Sequence, residues 1–290
     1  MVKLHIKKGD ESQFLYETTV NIPIDELMKD VVAIYNGRLK VNRICEEIKS
    51  LAEHGIMMPP NMQGLTDEQI EELKLKDEWA DRCVPSGGNV YRRDEIGRRN
   101  GMAPNEQMAE ILTKTVKEAK DDVSNKNVAA DRCVTQVTVK DALDKLCGAI
   151  MIVYPMQLPP HDPIRMEFEN TEDLTGMQAS LEVLDEANAS LWWAGKEMIR
   201  GKKLMDFIGK NEKTKIIAKL QKKGAGAPSR EPVVSEEEQK QMMAYAYKKQ
   251  EEYKKLQEAD DTSYLDSAWA DSNSLKKSFQ GIRDIKMGPR

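Results

Sequence analysis

The sequence predicts an α+β fold, mostly helical, on three observations. The chain opens with two extended, alternating stretches joined by a turn, an amphipathic helix follows them, and charged residues reach 32 % of the whole against 6 % aromatics. So much charge with so little aromatic bulk means that a large share of the chain is solvated helix surface and not thick sheet core. At 290 residues the chain is long enough to bury a core without disulfide staples.

Residues 2–7 alternate apolar and charged, Gly9-Asp10-Glu11 can turn, and residues 13–20 resume an extended pattern through Phe14, Leu15, Tyr16 and Thr18. After Pro23, the residues Ile24, Leu27, Val31 and Ile34 recur at helical spacing as far as Gly37, which suits a helix C-cap. A hairpin followed by an amphipathic helix is how a ubiquitin-like β-grasp domain begins, so residues 1–58 are its first part. Val41, Ile44, Ile48 and Leu51 then make a second apolar stripe ending at His54-Gly55, where a simple β-grasp calls for a third strand. Residues 59–133 are expected to be an insertion of loop and helices. It holds Pro59-Pro60, a short helix capped by Thr66-x-x-Gln69, a loop rich in Gly, Pro and Arg, and a helix over about 105–123 with Met108, Leu112, Val116 and Ala119 on one side.

Residues 134–170 are expected to complete the β-grasp. Thr138 caps a helix through Leu143 and Leu146, Gly148 ends it, and residues 149–154 form a strand apolar on both faces, which belongs beside residues 2–7 in the sheet interior. Residues 164–169 alternate as a further strand. Residues 171–222 are expected to be helical and without strands, from the spacing of Leu181, Leu184, Ala187, Leu191 and Trp192, then of 204–208 and 216–220. Gly224, Gly226, Pro228 and Pro232 mark 223–234 as a linker. In residues 235–290, Ser235-x-x-Glu238 opens a very polar helix whose thin stripe is Met242, Tyr245, Lys249, Tyr253 and Leu256. The irregular tail beyond it carries Tyr264, Leu265, Trp269, Leu275, Phe279, Ile282 and Ile285, too many apolar groups for a plain solvated tail.

Composition bounds the function. Lys and Arg number 44 against 49 Asp and Glu, a net charge of −5 that gives no general attraction for nucleic acid or an anionic membrane. Residues 1–8 lack the continuous apolar core of a secretory signal. The longest nearly apolar run, 148–158, is shorter than the roughly 18 residues a spanning helix needs, and Pro155 interrupts it. Cys45, Cys83, Cys133 and Cys147 are widely spaced, which reads as the reduced thiols of a cytoplasmic protein. His5, His54 and His161 have no His or Cys at ligand spacing, so neither metal nor cofactor is expected. Cys83 and Cys133 sit next to arginines, but a reactive thiolate also needs an oriented base, and a thiol-dependent enzyme is the weaker alternative.

What remains is protein binding. Trp79 and Trp269 lie in acidic, irregular surroundings, where an indole is either a clasp onto its own domain or an interface anchor. Trp192 and Trp193, read on a helix, diverge by about 100°, so one of them, taken as Trp193, meets another element or a partner. Arg98 and Arg99, with Arg92 and Arg93, make a basic patch suited to phosphate or to an acidic protein, and Phe279 is a further aromatic candidate in the tail.

These blocks also form a familiar set. EHGI, PPNMQGLTDEQIEELKLKDEW, CVPSGG and IGRRNG between Leu51 and Met108, then IMIVYP, LPP and DPIRMEFEN, LWWA, GKNEKTKIIAK, and WAD and IK near the end, together resemble the cilia- and flagella-associated protein 298 (Kurly) family over nearly the whole chain. That resemblance implies a non-enzymatic cytoplasmic factor for preassembly of the outer dynein arms of motile cilia, working with chaperones and other assembly factors. It further implies a link to planar cell polarity and basal-body positioning. A structural component resident in the axoneme or basal body is the alternative. The resemblance transfers no catalytic residue. His161 stands where vertebrate relatives have tyrosine, and Met287-Gly288 replaces an aromatic-basic pair.

Overall fold

The computed structural model describes residues 1–229 and 236–258, and the chain divides into two compact units, residues 1–230 and 231–290. In the first unit, β1 (Val2–Lys8) and β2 (Glu11–Thr18) form the expected antiparallel hairpin, in register from Val2↔Thr18 to Lys8↔Glu11 with an irregularity between Ile6 and Lys7. Val2, Leu4 and Ile6 are fully buried while Lys3, His5 and Lys7 take the other face, the two-residue period of a half-buried strand. The buried side joins one core with α1 (Ile24–His54), whose Leu27, Val31, Ile34, Val41, Ile44, Ile48 and Leu51 form a single apolar stripe along its whole length.

The chain then leaves the sheet for a long excursion. It contains α2 (Asp67–Glu72), begun by the Thr66–Gln69 capping box, and a separate two-stranded sheet of β3 (Asn89–Tyr91) and β4 (Met102–Pro104). Next come α3 (Glu106–Asp122), capped by Asn105, then α4 (Gln136–Val153) and α5 (Pro163–Glu169). Helices α1, α3 and α4 pack on one another through residues such as Cys45, Leu112, Val116, Ala142 and Leu146. After α6 (Gln178–Glu182) the chain returns to the sheet as β5 (Ala189–Trp193) and β6 (Lys196–Glu197), passes through α7 (Met205–Ile208), and ends the sheet with β7 (Lys215–Lys222).

The five-stranded order is β2-β1-β7-β5-β6, with β1 parallel to β7 and every other neighbour antiparallel. Leaving out β3 and β4, the strand that comes last in the chain lies at the centre beside the first. This is the β-grasp arrangement, so the fold class is the expected one. Its completion is not. Residues 149–154 and 164–169 are not strands: the first lie at the C-terminal end of α4, which Tyr154 closes, and the second are α5, started by Asp162 and by Pro163 at its first position. The place beside β1 is taken by β7, from Lys3↔Lys215 to Lys7↔Lys219.

The physical reasons are local. A short run apolar on both sides fits a buried helix as well as a central strand. Val139, Ala142, Leu146, Ala149, Ile150 and Val153 are buried at steps of three and four, which only a helix provides. That helix starts from Thr135, with Thr138 as the reciprocal partner in its capping box, and it passes through Gly148. The expected absence of strands after residue 170 is likewise overturned. Residues 216–220 alternate Ile216, Ala218 and Leu220 inward with Ile217 exposed, and Trp192 and Trp193 sit on a strand. Neighbours on a strand face opposite ways, so Trp193 packs on the core with Leu191, while Trp192 keeps to the face of Ser190, whose Oγ accepts its indole N–H at 3.2 Å.

Gly37 does not end α1 either. A Cβ there would lie 2.6 Å from Val139 Cγ1, so the glycine lets α4 cross α1 closely. In the second unit, α8 (Glu236–Glu258) has Met242, Met243, Tyr245, Tyr247 and Tyr253 exposed, with the Lys249 ammonium 5.2 Å from the Tyr245 ring centre. Ser235 of the expected capping box, Arg230 and Pro232 of the linker, and the whole aromatic tail from Tyr264 to Ile285 lie outside the described residues.

The Gly37 crossing makes a prediction. Gly37→Ala should lower stability by about 1–2 kcal/mol despite the better helix propensity of alanine, because the added methyl overpacks a stiff, branched neighbour. In a Val139→Ala background the same change should cost little or stabilise, so denaturant titration of the four proteins should show coupling. Strict additivity would refute the close crossing.

Candidate protein-interaction site

The segment between α1 and α3 forms a lobe whose attachment begins at Gly55. Gly55 stops α1 at φ 79°, where its N–H donates to Leu51 O, and a Cβ there would stand 2.3 Å from Met102 O. Only glycine permits β4 to pass so near the helix end. Residues 56–58 then run antiparallel to 98–100, with Met58 N–H donating to Arg98 O (2.9 Å) and Asn100 N–H to Ile56 O (3.0 Å). The loop between is set by Asp94, whose carboxylate accepts the N–H groups of Ile96, Arg98 and Arg99 at 2.9–3.0 Å. Partial burial acts to raise its pKa, but these three donors outweigh it and hold the carboxyl below the usual range.

Arg99 closes the attachment from inside. Its guanidinium donates to Gly55 O (2.8 Å) and to the carboxylate (2.7 Å) and backbone oxygen (3.2 Å) of Glu47, and lies 3.8 Å from Asp162 Oδ2. Asp162 has no exposure and is also the cap of α5; it accepts Ile164 N–H at 3.0 Å and Met57 N–H at 3.3 Å. Burial pushes its carboxyl upward, against the pull of Arg99 and the two N–H groups. His161 beside it meets Met57 O at 3.0 Å. Lobe, α1 and α5 are therefore joined through one buried cation.

The candidate residues scatter across this framework. Arg99 is interior, whereas Arg98 is exposed with only a long contact to Glu47 (3.4 Å). Trp79 is half-buried on the core, its backbone N–H donating to Asp77 (2.9 Å) and the Arg82 guanidinium 5.6 Å from its ring. Trp193 belongs to the main sheet and not to the lobe. Trp269 and Phe279 lie outside the described residues. Sequence reasoning missed the lobe's exposed apolar groups, Val90, Tyr91, Ile96 and Met102, whose signal was apolar residues set among Gly and Arg. Tyr91 and Ile96 border a cleft of about 160 Å³ that also touches Leu65 and Ile70. A second cleft of about 150 Å³ lies between α4 and α5, lined by Cys147, Ile150, Met151, Leu158 and Phe168, with Met151 exposed.

None of the thiols is set up as a nucleophile. Burial pushes Cys45 up to about 11 and moves Cys83, Cys133 and Cys147 upward too, which keeps each protonated near neutrality. His5 meets Ser12 Oγ (2.5 Å) and His54 meets Arg92 O (3.4 Å). Among the described residues no cluster of three His, Cys, Asp or Glu side chains could hold a metal, and no helix is long and apolar enough to cross a membrane.

Comparison with known proteins gives a consistent result. A family model described as cilia- and flagella-associated protein 298 matches residues 189–285. The chain is 65 % identical to cilia- and flagella-associated protein 298 of Danio rerio, 64 % identical to the 298-A protein of Xenopus laevis and 63 % identical to the Homo sapiens protein, each over the full length of both chains. No solved structure matches it significantly.

Two expectations follow from the buried cation. Arg99→Met should destabilise the protein by about 3 kcal/mol or more by stranding Asp162, while Arg98→Met should cost under about 1 kcal/mol. Because the folded-state pKa of Asp162 is raised, its contribution is fully present below the unfolded value of about 4 and is lost as pH rises through the folded one. Asp162→Asn should remove that loss, so urea melts from pH 4 upward should show wild type falling relative to the variant. Parallel curves would mean Asp162 titrates normally.

Proposed function

The chain belongs to the cilia- and flagella-associated protein 298 family, and from that membership we propose that it is a non-enzymatic, cytoplasmic binding factor that assists preassembly of axonemal outer dynein arms, and so cilium motility. Its partners in this reading are proteins, namely dynein assembly factors and chaperones. A role in planar cell polarity and basal-body positioning would draw on the same binding surfaces.

The observation that carries the reading is the lobe. A buried arginine anchors it to the helical core, yet it presents Val90, Tyr91 and Ile96 to solvent, and exposed apolar groups on a rigid base suit protein recognition better than catalysis. The raised thiols point the same way. Exposed Met242, Tyr245 and Tyr253 on α8 add a second adaptable surface.

Ciliated cells lacking the protein should build cilia of normal length that beat poorly and stain weakly for outer dynein arms, and the wild-type protein should leave with the cytosol when axonemes are detergent-extracted. Retention in extracted axonemes, with arms intact in the null cells, would favour a resident structural component and sink the assembly reading.

A further inference from the structure

Near its C-terminal end the outer face of α4 is apolar. Met151 is 57 %, Ile152 58 % and, just past the helix, Met156 72 % exposed. Beside them the cleft of about 150 Å³ between α4 and α5 opens onto Cys147, Ile150 and Phe168. Single exposed apolar residues are ordinary, but three gathered beside an apolar cleft mark an interaction surface. The cleft is smaller than the roughly 300 Å³ at which small-molecule sites begin, and it has room for an apolar side chain.

Gly148 lies on the same outer face, one turn before Met151 and Ile152. A glycine weakens a helix interior, so it calls for a reason. At Gly37 the reason is internal, since a Cβ there would strike Val139; at Gly148 an added Cβ would meet no atom of the chain within 4 Å. Its effect is to leave a notch on the outside of α4, where another backbone can come close.

Two features say what fits there. Helices α4 and α5 spend their backbone groups internally, so an extended segment would find no main-chain partners, whereas a helix brings its own bonds with it. Charge supplies the second. In the layer of α3, α4 and α5, Lys120 pairs with Glu46, Lys145 with Asp122, Arg165 with Glu169, and Arg43 with Glu167. What remains on these helices, without an ion pair among the described residues, is Glu106, Glu110, Glu118, Asp121, Asp141 and Asp144 against Lys114, Lys117 and Lys140. The layer is therefore anionic, and Asp144 and Asp141 stand one and two turns before Gly148 on its own face. A second copy of the chain would bring this same excess of carboxylates onto itself.

We propose that the α4–α5 groove docks a cationic, amphipathic helix of a partner protein, which seats one apolar side chain between Ile150 and Phe168, lays its apolar stripe over Gly148, Met151 and Ile152, and turns lysines or arginines toward Asp141 and Asp144. The flexible thioethers let the surface mould to the incoming stripe, and the carboxylates set its orientation. The inference rests on the protein-binding reading and names the surface and the class of partner segment that such binding uses.

The probe is a helical leucine–lysine peptide about five turns long, compared with a leucine–glutamate peptide of the same pattern and with the leucine–lysine peptide broken by central prolines. Titrated into the full-length protein carrying 13C-labelled methionine methyls, the first should shift the Met151 and Met156 signals and the other two should not. Ile152→Lys should weaken binding roughly tenfold with the melting temperature unchanged. Gly148→Ala separates access from stability: the melting temperature should rise, because the methyl meets nothing in the chain, while binding weakens several-fold. Shifts confined to other methionines, equal affinity for the leucine–glutamate peptide, binding that survives the prolines, Gly148→Ala binding as tightly as wild type, or a concentration-dependent dimer that Ile152→Lys dissolves would each overturn the proposal. Should Ile152→Lys fail to fold, the wild-type methyl shifts and Gly148→Ala decide. Peptide binding tests the groove alone and the ciliary phenotype tests the function, so either can fail without the other.

Discussion

The Arg99 guanidinium is the interaction on which the arrangement of this molecule turns. A buried cation is tolerable only with anionic and carbonyl partners around it, and here they come from three parts of the chain: Glu47 and Gly55 at the end of α1, and Asp162 at the start of α5. Satisfying one charge therefore fixes the lobe, the long helix and α5 against one another. The same Asp162 carboxylate caps α5 and receives Met57 N–H, so the helix start, the lobe's first strand-like residues and the ion pair form one polar network inside an apolar core. Such a network is costly to half-satisfy and specifies a single geometry when complete.

Around that anchor the β-grasp sheet is assembled across great sequence distance. Lys3 pairs with Lys215, and the central strand of the sheet is nearly the last element of the first unit. Closing so long a loop costs entropy before any strand contact repays it, although the cost grows only slowly with length. The excursion is well suited to bear that cost because it is mostly helix: α3 and α4 bring local contacts and pack on α1. Gly37 and Gly55 serve the packing of this excursion, the first by letting α4 approach and the second by letting β4 cross the end of α1.

Exposed apolar groups gather where this framework stops. The sheet buries Val2, Leu4, Ile6, Ile216, Ala218 and Leu220 against α1, and Trp193 joins them as packing. The lobe is different, since beside its buried Ile56, Met57 and Met62 it is anchored by polar bonds and leaves Val90, Tyr91 and Ile96 on the outside. An arginine pair illustrates the division of labour: Arg99 spends its charge internally, and Arg98, one residue earlier, leaves most of its own in solvent. The lobe turns Tyr91 and Ile96 to solvent, in a chain that the members of the cilia- and flagella-associated protein 298 family match from end to end.

Sequence alone determined the opening hairpin, the two apolar stripes of α1 but not their continuity through Gly37, the capped α2, α3 and the family. Each of these rests on a signal that needs no distant partner: alternation with a turn, a long amphipathic period, a capping box, or a run of matched blocks. Tertiary structure decided the rest. Residues 149–154 and 216–220 are both short and apolar, and no local period separates them, yet the first became the end of a helix already begun at Thr135 and the second became the central strand. The difference lies in what each could pair with, because only β7 offers alternating buried residues to the open edge of β1. Arg98 and Arg99 are likewise indistinguishable as letters, and the opposite directions of neighbouring side chains on an extended backbone put one in water and the other in the core.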